Sequence, residues 1–482
     1  MLRILPAFLA LLLLATSAAS VAAQPAAELP EQARRALAKG GAFYRGKVAR
    51  HGGYVYYASE DLSQRWGEGT ATPDTLFVQP PGTPTVGMAY LKAWHATRDP
   101  IYREAAQETA GALVYGQLAS GGWTQVIHFA ADKRMGKYRN GKGGSWNVSS
   151  LDDGQTQAAL QMLLRTDQAL EGKDGAIHEA AQFGLDALLK AQFANGAFPQ
   201  VWIGPVPARP VVKAAYPDYD WKTEGRVKNY WDHYTLNDNL AGSVCDTLIE
   251  AHQITRDARC LAAIARLGDF LILAQMPDPQ PGWCQEYNEQ MMPMWARKFE
   301  PPAISGYESQ DVMRTLIKIA RHTGDKKYLA PIPRALAYFK TCVLADGRVA
   351  RFYELKTNKP LYMDRAYQLT YDDADVPAHY GWKQTAHFEA IEREYQAAHS
   401  AQAGGEWKKA AVGSGEIPKQ LEDAVRKIVR EQDEQGRWVS TYAGEKLVGQ
   451  PKFRDGFRYI SSEVFSRNVE TLAEYLQALQ AK

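Results

Sequence analysis

The stretch Tyr115–Gln125, YGQLASGGWTQ, returns at Leu189–Gln200 as LKAQFANGAFPQ and at Leu273–Gln285 as LAQMPDPQPGWCQ. Each copy joins the end of an apolar helical run to Gln, then to Gly and an aromatic residue. Weaker versions are DGRVARF around Gly347 and EQGRWVS around Gly436, and HGGYVYY at His51–Tyr57 is a sixth candidate. Between the phrases lie paired stretches with apolar residues at helical spacing, such as Ala158, Leu160, Leu163 and Leu164, then Ala181, Phe183, Leu185 and Leu188. Helix starts fall near Thr85, Asp153, Asp238, Tyr307, Trp382 and Ser462. Each interval holds one helix pair and a loop, a period longer than the common solenoid repeats, and the pattern predicts an all-α fold, an α/α toroid. Its inner helices run one way, so the loops before them line one rim, where a groove belongs. An unclosed helical solenoid that binds protein is the alternative.

The 482 residues carry 56 Lys plus Arg against 54 Asp plus Glu, a formal net charge of +2, so no overall field steers the chain toward nucleic acid. The long apolar run is at the start, where Arg3 precedes Ile4–Leu14 and then small residues. It predicts a signal peptide over 1–23 and a secreted or periplasmic chain forming one catalytic domain over 24–482. Cys245, Cys260, Cys284 and Cys342 are too few for a disulfide scaffold and show no metal spacing, which makes them small buried hydrophobes on helices with room for one bridge. Two long loops, Lys133–Ser150 and Gly204–Trp231, each precede an inner helix and should overhang the rim. The Ala-, Gly- and Ser-rich stretch from Ala401 to Pro418 has the composition of a linker.

Two sets of charged residues stand out. Asp152 and Asp153 in SSLDDGQTQ and Asp238 in YTLNDNLAG each precede a helix. Singly, each is an N-cap candidate. Together, at equivalent places in adjacent hairpins, they would crowd carboxylates at one mouth, which requires a cation or a shared proton. Hard oxygen donors without His or Cys favour calcium. The second set is Arg297 in MWARKFEPPAISGYES, with Arg351 and Arg365 fourteen apart in ARFYELKTNKPLYMDR. Guanidinium forks match carboxylates, so a rim with both sets suits a uronic-acid polymer, and the Trp and Tyr content is consistent with stacking on sugars. Such polymers break without water by β-elimination, in which a proton beside the uronate carboxylate is removed and the glycosidic oxygen leaves.

At these residues the chain resembles the family-ten polysaccharide lyases, which are pectate lyases. LDDGQTQ resembles the family's paired Asp-Asn stretch, Asn237–Asn239 its NDN motif, and Arg297–Ser309 its Arg-x-aromatic-Glu-x-Pro-x-x-Ser-Gly-x-Glu-Ser stretch. ARFYE, with its second arginine, matches a further segment. The resemblance spans about 85–385 and implies calcium held by Asp152, Asp153 and Asp238, with Asp152 also binding substrate. It implies Arg297 as proton abstractor and Arg351 and Arg365 as grips on substrate carboxylates. An arginine base would owe its neutral form to calcium and other arginines nearby, helped by exclusion of water. Asp153 stands where the family usually has Asn, the Arg297–Arg351 stretch is shorter than the family's, and the Gly204–Trp231 loop is longer. The expected partner is an acidic polysaccharide such as polygalacturonate, with no nucleic acid or membrane, and the expected state is a monomer.

Three other readings fit the residues alone. A glycoside hydrolase on the same toroid would use two of Asp152, Asp238, Glu300 and Glu308 as acid and base. A non-catalytic protein would hold acidic glycans on the arginine rim. A lyase working through Tyr and His would use His233 and Tyr234.

Overall fold

The computed structural model describes residues 28–133, 135–401 and 417–480; the predicted signal peptide and most of the predicted linker lie outside them. Twelve α-helices are present among the described residues: α1 Leu29–Phe43, α2 Thr83–Thr97, α3 Pro100–Gly116, α4 Gln155–Ala169, α5 Gly175–Lys190 and α6 Leu240–Thr255, then α7 Ala258–Leu273, α8 Glu308–Thr323, α9 Ile332–Lys340, α10 Phe388–Ser400, α11 Lys419–Glu431 and α12 Ser462–Gln480. Helices α2, α4, α6, α8 and α10 pack side by side in sequence order. Helix α12 returns against α2, and α1 lies against α12 and α11. The fold is therefore an α/α toroid whose sixth hairpin joins the two ends of the chain, α12 inside and α1 outside.

The inner-to-outer turns repeat a short code. In Thr97–Arg98–Asp99 and Thr255–Arg256–Asp257 the Thr hydroxyl closes the inner helix on a carbonyl four residues back. The Arg then takes a left-handed φ of 58° or 59°. The Asp caps the outer helix through the N–H of Ile101 or Arg259. A cap of this kind contributes about 1 kcal/mol.

The Gly-aromatic phrases are the return loops, and their first Gln stitches the outer layer. Gln117 Nε2 donates to Gly121 O in its own loop and to Ala180 O in the next outer helix, both at 2.9 Å. Gln192 repeats this toward Ala263 O, Gln275 toward Pro331 O, and Gln432 toward Ala36 O in α1. The indoles of Trp123, Trp283 and Trp438 donate back to the outer helices that precede them, at Leu113 O, Leu271 O and Ile428 O. Hydroxyls in the first turns of the inner helices grip both backbone groups of the aromatic residue: Thr83 on Tyr54, Thr156 on Trp123 and Ser309 on Trp283.

A short antiparallel pair spans each rim. Ser149–Ser150 pairs with Val201–Trp202, Tyr234–Thr235 with Glu286–Tyr287, and, across the chain ends, Tyr57–Ser59 with Arg458–Ser461. The predicted inner-helix starts hold to within about three residues except the one near Trp382, where the strand Lys383–Thr385 intervenes and α10 begins at Phe388. All four cysteines are buried free thiols; Cys245 and Cys260 lie on helices, whereas Cys284 sits in a return loop and Cys342 beyond α9. The Gly204–Trp231 loop crosses the neighbouring return loop, with Ala215 N on Met291 O and Trp295 Nε1 on Trp221 O. The Lys133–Ser150 loop instead leans its tip on the outer layer, where Arg139 meets Gln117 and Glu179. No helix of the described residues is long and apolar enough to cross a membrane.

Candidate active site

Two equivalent loops open the site. Leu151 and Leu236 are buried, and their N–H groups donate to Gln200 O and Gln285 O of the return loops. The chain then makes one tight turn before α4 or α6, with Asp153 at φ 45° and Asp238 at φ 46°, both left-handed. Asp tolerates this region at a cost of roughly 1 kcal/mol. Neither α4 nor α6 has a side-chain cap, so the N-cap expectation fails and all three carboxylates are left for the rim.

Oxygens of Asp152, Asp153 and Asp238 lie within 4.8 Å of one another, close enough to hold one metal ion. Burial raises the Asp152 carboxyl above its usual range, although Gln200 and Arg297 draw it down. Burial at its base, then repulsion from Asp152, Asp238 and Glu68, pushes Asp153 up to about 7. Gln79 Nε2 bridges Asp153 Oδ2 at 3.0 Å and Glu68 Oε1 at 2.8 Å. A set of hard oxygens that repel one another fits a cation with oxygen preference.

Facing the aspartates are two arginines with different settings. Arg351 is buried, and its Nη2 donates to Asp238 Oδ1 at 2.9 Å and Glu308 Oε1 at 2.5 Å. The rings of Tyr307 and Tyr380 lie 4.9 and 4.5 Å from its guanidinium. Arg297 is held by Glu300 through its backbone N–H at 3.0 Å, Nε at 2.8 Å and Nη2 at 2.6 Å. Its Nη1 makes no hydrogen bond among the described residues. Glu300, 1% exposed, also accepts from Gln285 Nε2 and Tyr380 OH, both at 2.9 Å. Burial works against both members of the pair, but the pairing wins: Glu300 stays below the usual carboxylate range and Arg297 above the usual guanidinium value. The expectation that neighbouring positive charge weakens Arg297's hold on its proton is therefore not met by the protein's own groups.

The remaining sequence candidates fall elsewhere. Arg365 is exposed and pairs with Asp375 at 3.1 Å, with no contact to the aspartates. It sits in the turn after Pro360–Met363 whose Tyr367 packs near Phe299, two residues from Arg297. Tyr234 is core, wedged between Phe193 and Phe270, and the pKa of His233 is lowered by burial and by Arg209. Gln79, Gln200, Gln285 and Tyr380 reach the site without having been singled out. For Gln200 and Gln285 the signal was present, since two of the repeated phrases end on them.

The rim of the helical ring thus sets three clustered carboxylates beside two arginines. The chain is similar to the pectic acid lyases, whose family model matches residues 117–350, just under half of the chain. That span contains the three aspartates, Arg297, Glu300 and Glu308, and ends one residue before Arg351. Among solved structures, a mutant of a family 10 polysaccharide lyase from Cellvibrio cellulosa in complex with trigalacturonic acid is 19% identical, with 65% of this chain and 98% of that chain covered and a TM-score of 0.46. The cellobiose 2-epimerase of Spirochaeta thermophila is 15% identical, with coverages of 94% and 100% and a TM-score of 0.45. No curated protein sequence matches the chain.

Proposed function

We propose that this enzyme cleaves polygalacturonate, or a closely related uronic-acid polymer, by calcium-assisted β-elimination after export from the cell. The observation that carries this reading is the sharing of Asp238 between the aspartate cluster and Arg351, which puts a cation site and a carboxylate grip on the same few atoms. Asp152, Asp153 and Asp238 would hold calcium. When bound there, calcium neutralises the uronate carboxylate, makes the adjoining carbon-bound proton more acidic and opposes a further charge on Arg297.

The chain's own residues do the rest. Arg351, pinned by Glu308 and flanked by two tyrosines, presents its remaining Nη1 edge to a uronate carboxylate, and Arg365 from the neighbouring turn meets the next one. Arg297, oriented through Nε and Nη2 and acting in the neutral form that a bound cation would favour, offers Nη1 toward the proton beside the carboxylate; that proton moves to nitrogen, a carbon–carbon double bond forms, and the glycosidic oxygen leaves and takes a proton from water. Glu300 and Glu308 are each committed to an arginine and buried, which leaves them unsuited to the acid and base roles of a hydrolase.

The test is to incubate the protein with polygalacturonate, with calcium or with chelator, and to follow ultraviolet absorbance of unsaturated uronate ends. Absorbance that rises only with calcium is expected. Reducing ends without unsaturation would make the enzyme a hydrolase, and unchanged rates after exhaustive chelation would remove the metal.

A further inference from the structure

The loop that carries Arg297 and the loops tied to it hold three cations with no acidic partner among the described residues, each near an aromatic ring. Arg226 lies 3.6 Å from the ring centre of Trp295, Lys298 lies 3.6 Å from that of Tyr367, and Lys359 lies 5.0 Å from that of Tyr371. We propose that Arg226, Lys298 and Lys359 form a track that holds successive carboxylates of a uronate chain beyond the linkage being cleaved, so that the enzyme favours long, unesterified polymer over short oligomers. This deepens the proposed function and rests on it.

The three belong to one surface because their supports are linked. Trp295 and Lys298 flank Arg297 in the chain. Tyr371 and Tyr367 lie in one short segment, and Tyr367 packs near Phe299. The Gly204–Trp231 loop ties the ends together: Trp221 O accepts from Trp295 Nε1, and Lys222 Nζ meets Glu354 Oε1 at 2.5 Å, the same oxygen to which Tyr371 OH donates at 2.6 Å. These bonds anchor the loop without help from Arg226, so its cation is not required as a fastener. Elsewhere, Arg259, Arg348 and Arg458 are neutralised by carboxylates, while Arg98 and Arg103 share the ring of Trp94 at the inner-to-outer turn after α2.

Charge decides which flank a polyanion follows. The opposite side of the site carries Asp152, Asp153, Asp238 and Glu68, which repel a polyuronate wherever no cation intervenes. On the cation side Asp373 and Asp375 are neutralised by Lys383 and Arg365, and a cation resting on a ring face is held in place while its outer side stays free for a carboxylate. A trimer that spends its carboxylates on Arg351 and Arg365 has fewer left for the track than a long polymer.

The experiment compares wild type with the triple variant Arg226→Gln, Lys298→Gln, Lys359→Gln on trigalacturonate and on long polygalacturonate, with melting temperatures in parallel. KM for the polymer should rise about tenfold while kcat, KM for the trimer and the melting temperature hold. Polymer KM unchanged, or polymer and trimer KM rising together, would overturn the track. If the triple variant folds poorly, Arg226→Gln and Lys359→Gln singly should each give part of the polymer-specific shift, and its absence in both overturns the proposal. Equilibrium binding of polygalacturonate against its methyl-esterified form separates this idea from the function it rests on. Should wild type yield no unsaturated ends, the lyase reading fails, and a preference for the unesterified polymer that the triple variant loses would still support the track; no such loss would sink it.

Discussion

Asp153 is an acid kept from ionising by burial and by its acidic neighbours, and this has a sign that can be measured. Its carboxyl titrates near 7 in the folded protein against an ordinary value of 3.8. The metal-free folded state therefore holds a proton that the unfolded chain has released, so Asp153 favours folding at low pH and loses that advantage as pH rises from about 4 to 7. Asp153→Asn removes the penalty. With chelator present, the variant should gain on wild type as pH goes from 5 to 8, by about 1 kcal/mol rather than the full conversion of the shift, because the carboxylate edge faces water. Thermal melting at both pH values checks this, and a constant gap would show an aspartate already ionised. Glu300 makes a second case. Glu300→Gln keeps the volume but cannot accept both guanidinium bonds, so Arg297 should swing free and kcat fall on the order of 10²-fold with little change in KM. Steady-state kinetics on the folded variant decide it; a rise in KM alone would mean that Glu300 shapes binding and not the aim of Arg297.

The return loops show how much of an element is visible in its letters. Their repeated Gln, Gly and aromatic residues predict both the period and the rim, because the same chemistry recurs: a carboxamide long enough to reach two carbonyls and an indole that closes the preceding helix. The left-handed turns at Asp153 and Asp238 were not legible in the same way. Asp before a helix is ordinarily a cap, and only the Leu-anchored turns that precede α4 and α6 free the carboxylates. Glu300 and Glu308 were visible as acids but not as counter-ions: Glu308 meets Arg351 from across the strand pair of Ile304–Ser305 with Phe352–Tyr353, and Glu300 meets Arg297 three residues away only because the chain turns there without forming a helix. The Gln device also predicts a cost. Gln432→Ala deletes the bonds to Ala36 O at 2.8 Å and Gly436 O at 3.2 Å, leaving carbonyls unsatisfied in a part-buried seam. The expected loss is about 1–3 kcal/mol in denaturant unfolding, with faster amide exchange in α1. Exchange unchanged in α1 would mean that the seam is held by packing alone.

At the scale of the whole molecule, the question is whether the ring needs its first helix, which packs on α12 and α11. Helix α1 buries Leu29, Ala33, Ala36 and Leu37, and beyond it Tyr44 stacks on Phe465 of α12 at 3.7 Å between ring centres. Gly40 is pressed so close to Trp438 that a Cβ there would lie 2.6 Å from the indole. Removing this layer would expose the outer face of α12, and the two leucines with Tyr44 and Val48 alone account for on the order of 5 kcal/mol of burial, a large part of a typical 5–15 kcal/mol stability. The damage should also reach the site. The strand Tyr57–Ser59 joins the C-terminal strand Arg458–Ser461 to Arg65–Trp66, and the segment that follows carries Glu68 and Gln79, the residues bonded in line to Asp153. Gly40→Leu keeps α1 helical but forces it off Trp438. It should lower the melting temperature by several degrees and weaken calcium binding, read by titration calorimetry, although every residue from 117 to 350 is unchanged. A variant that melts early yet binds calcium normally would show that the ring's closure supports stability only. One that does neither would mean the toroid tolerates an open seam between α12 and α1.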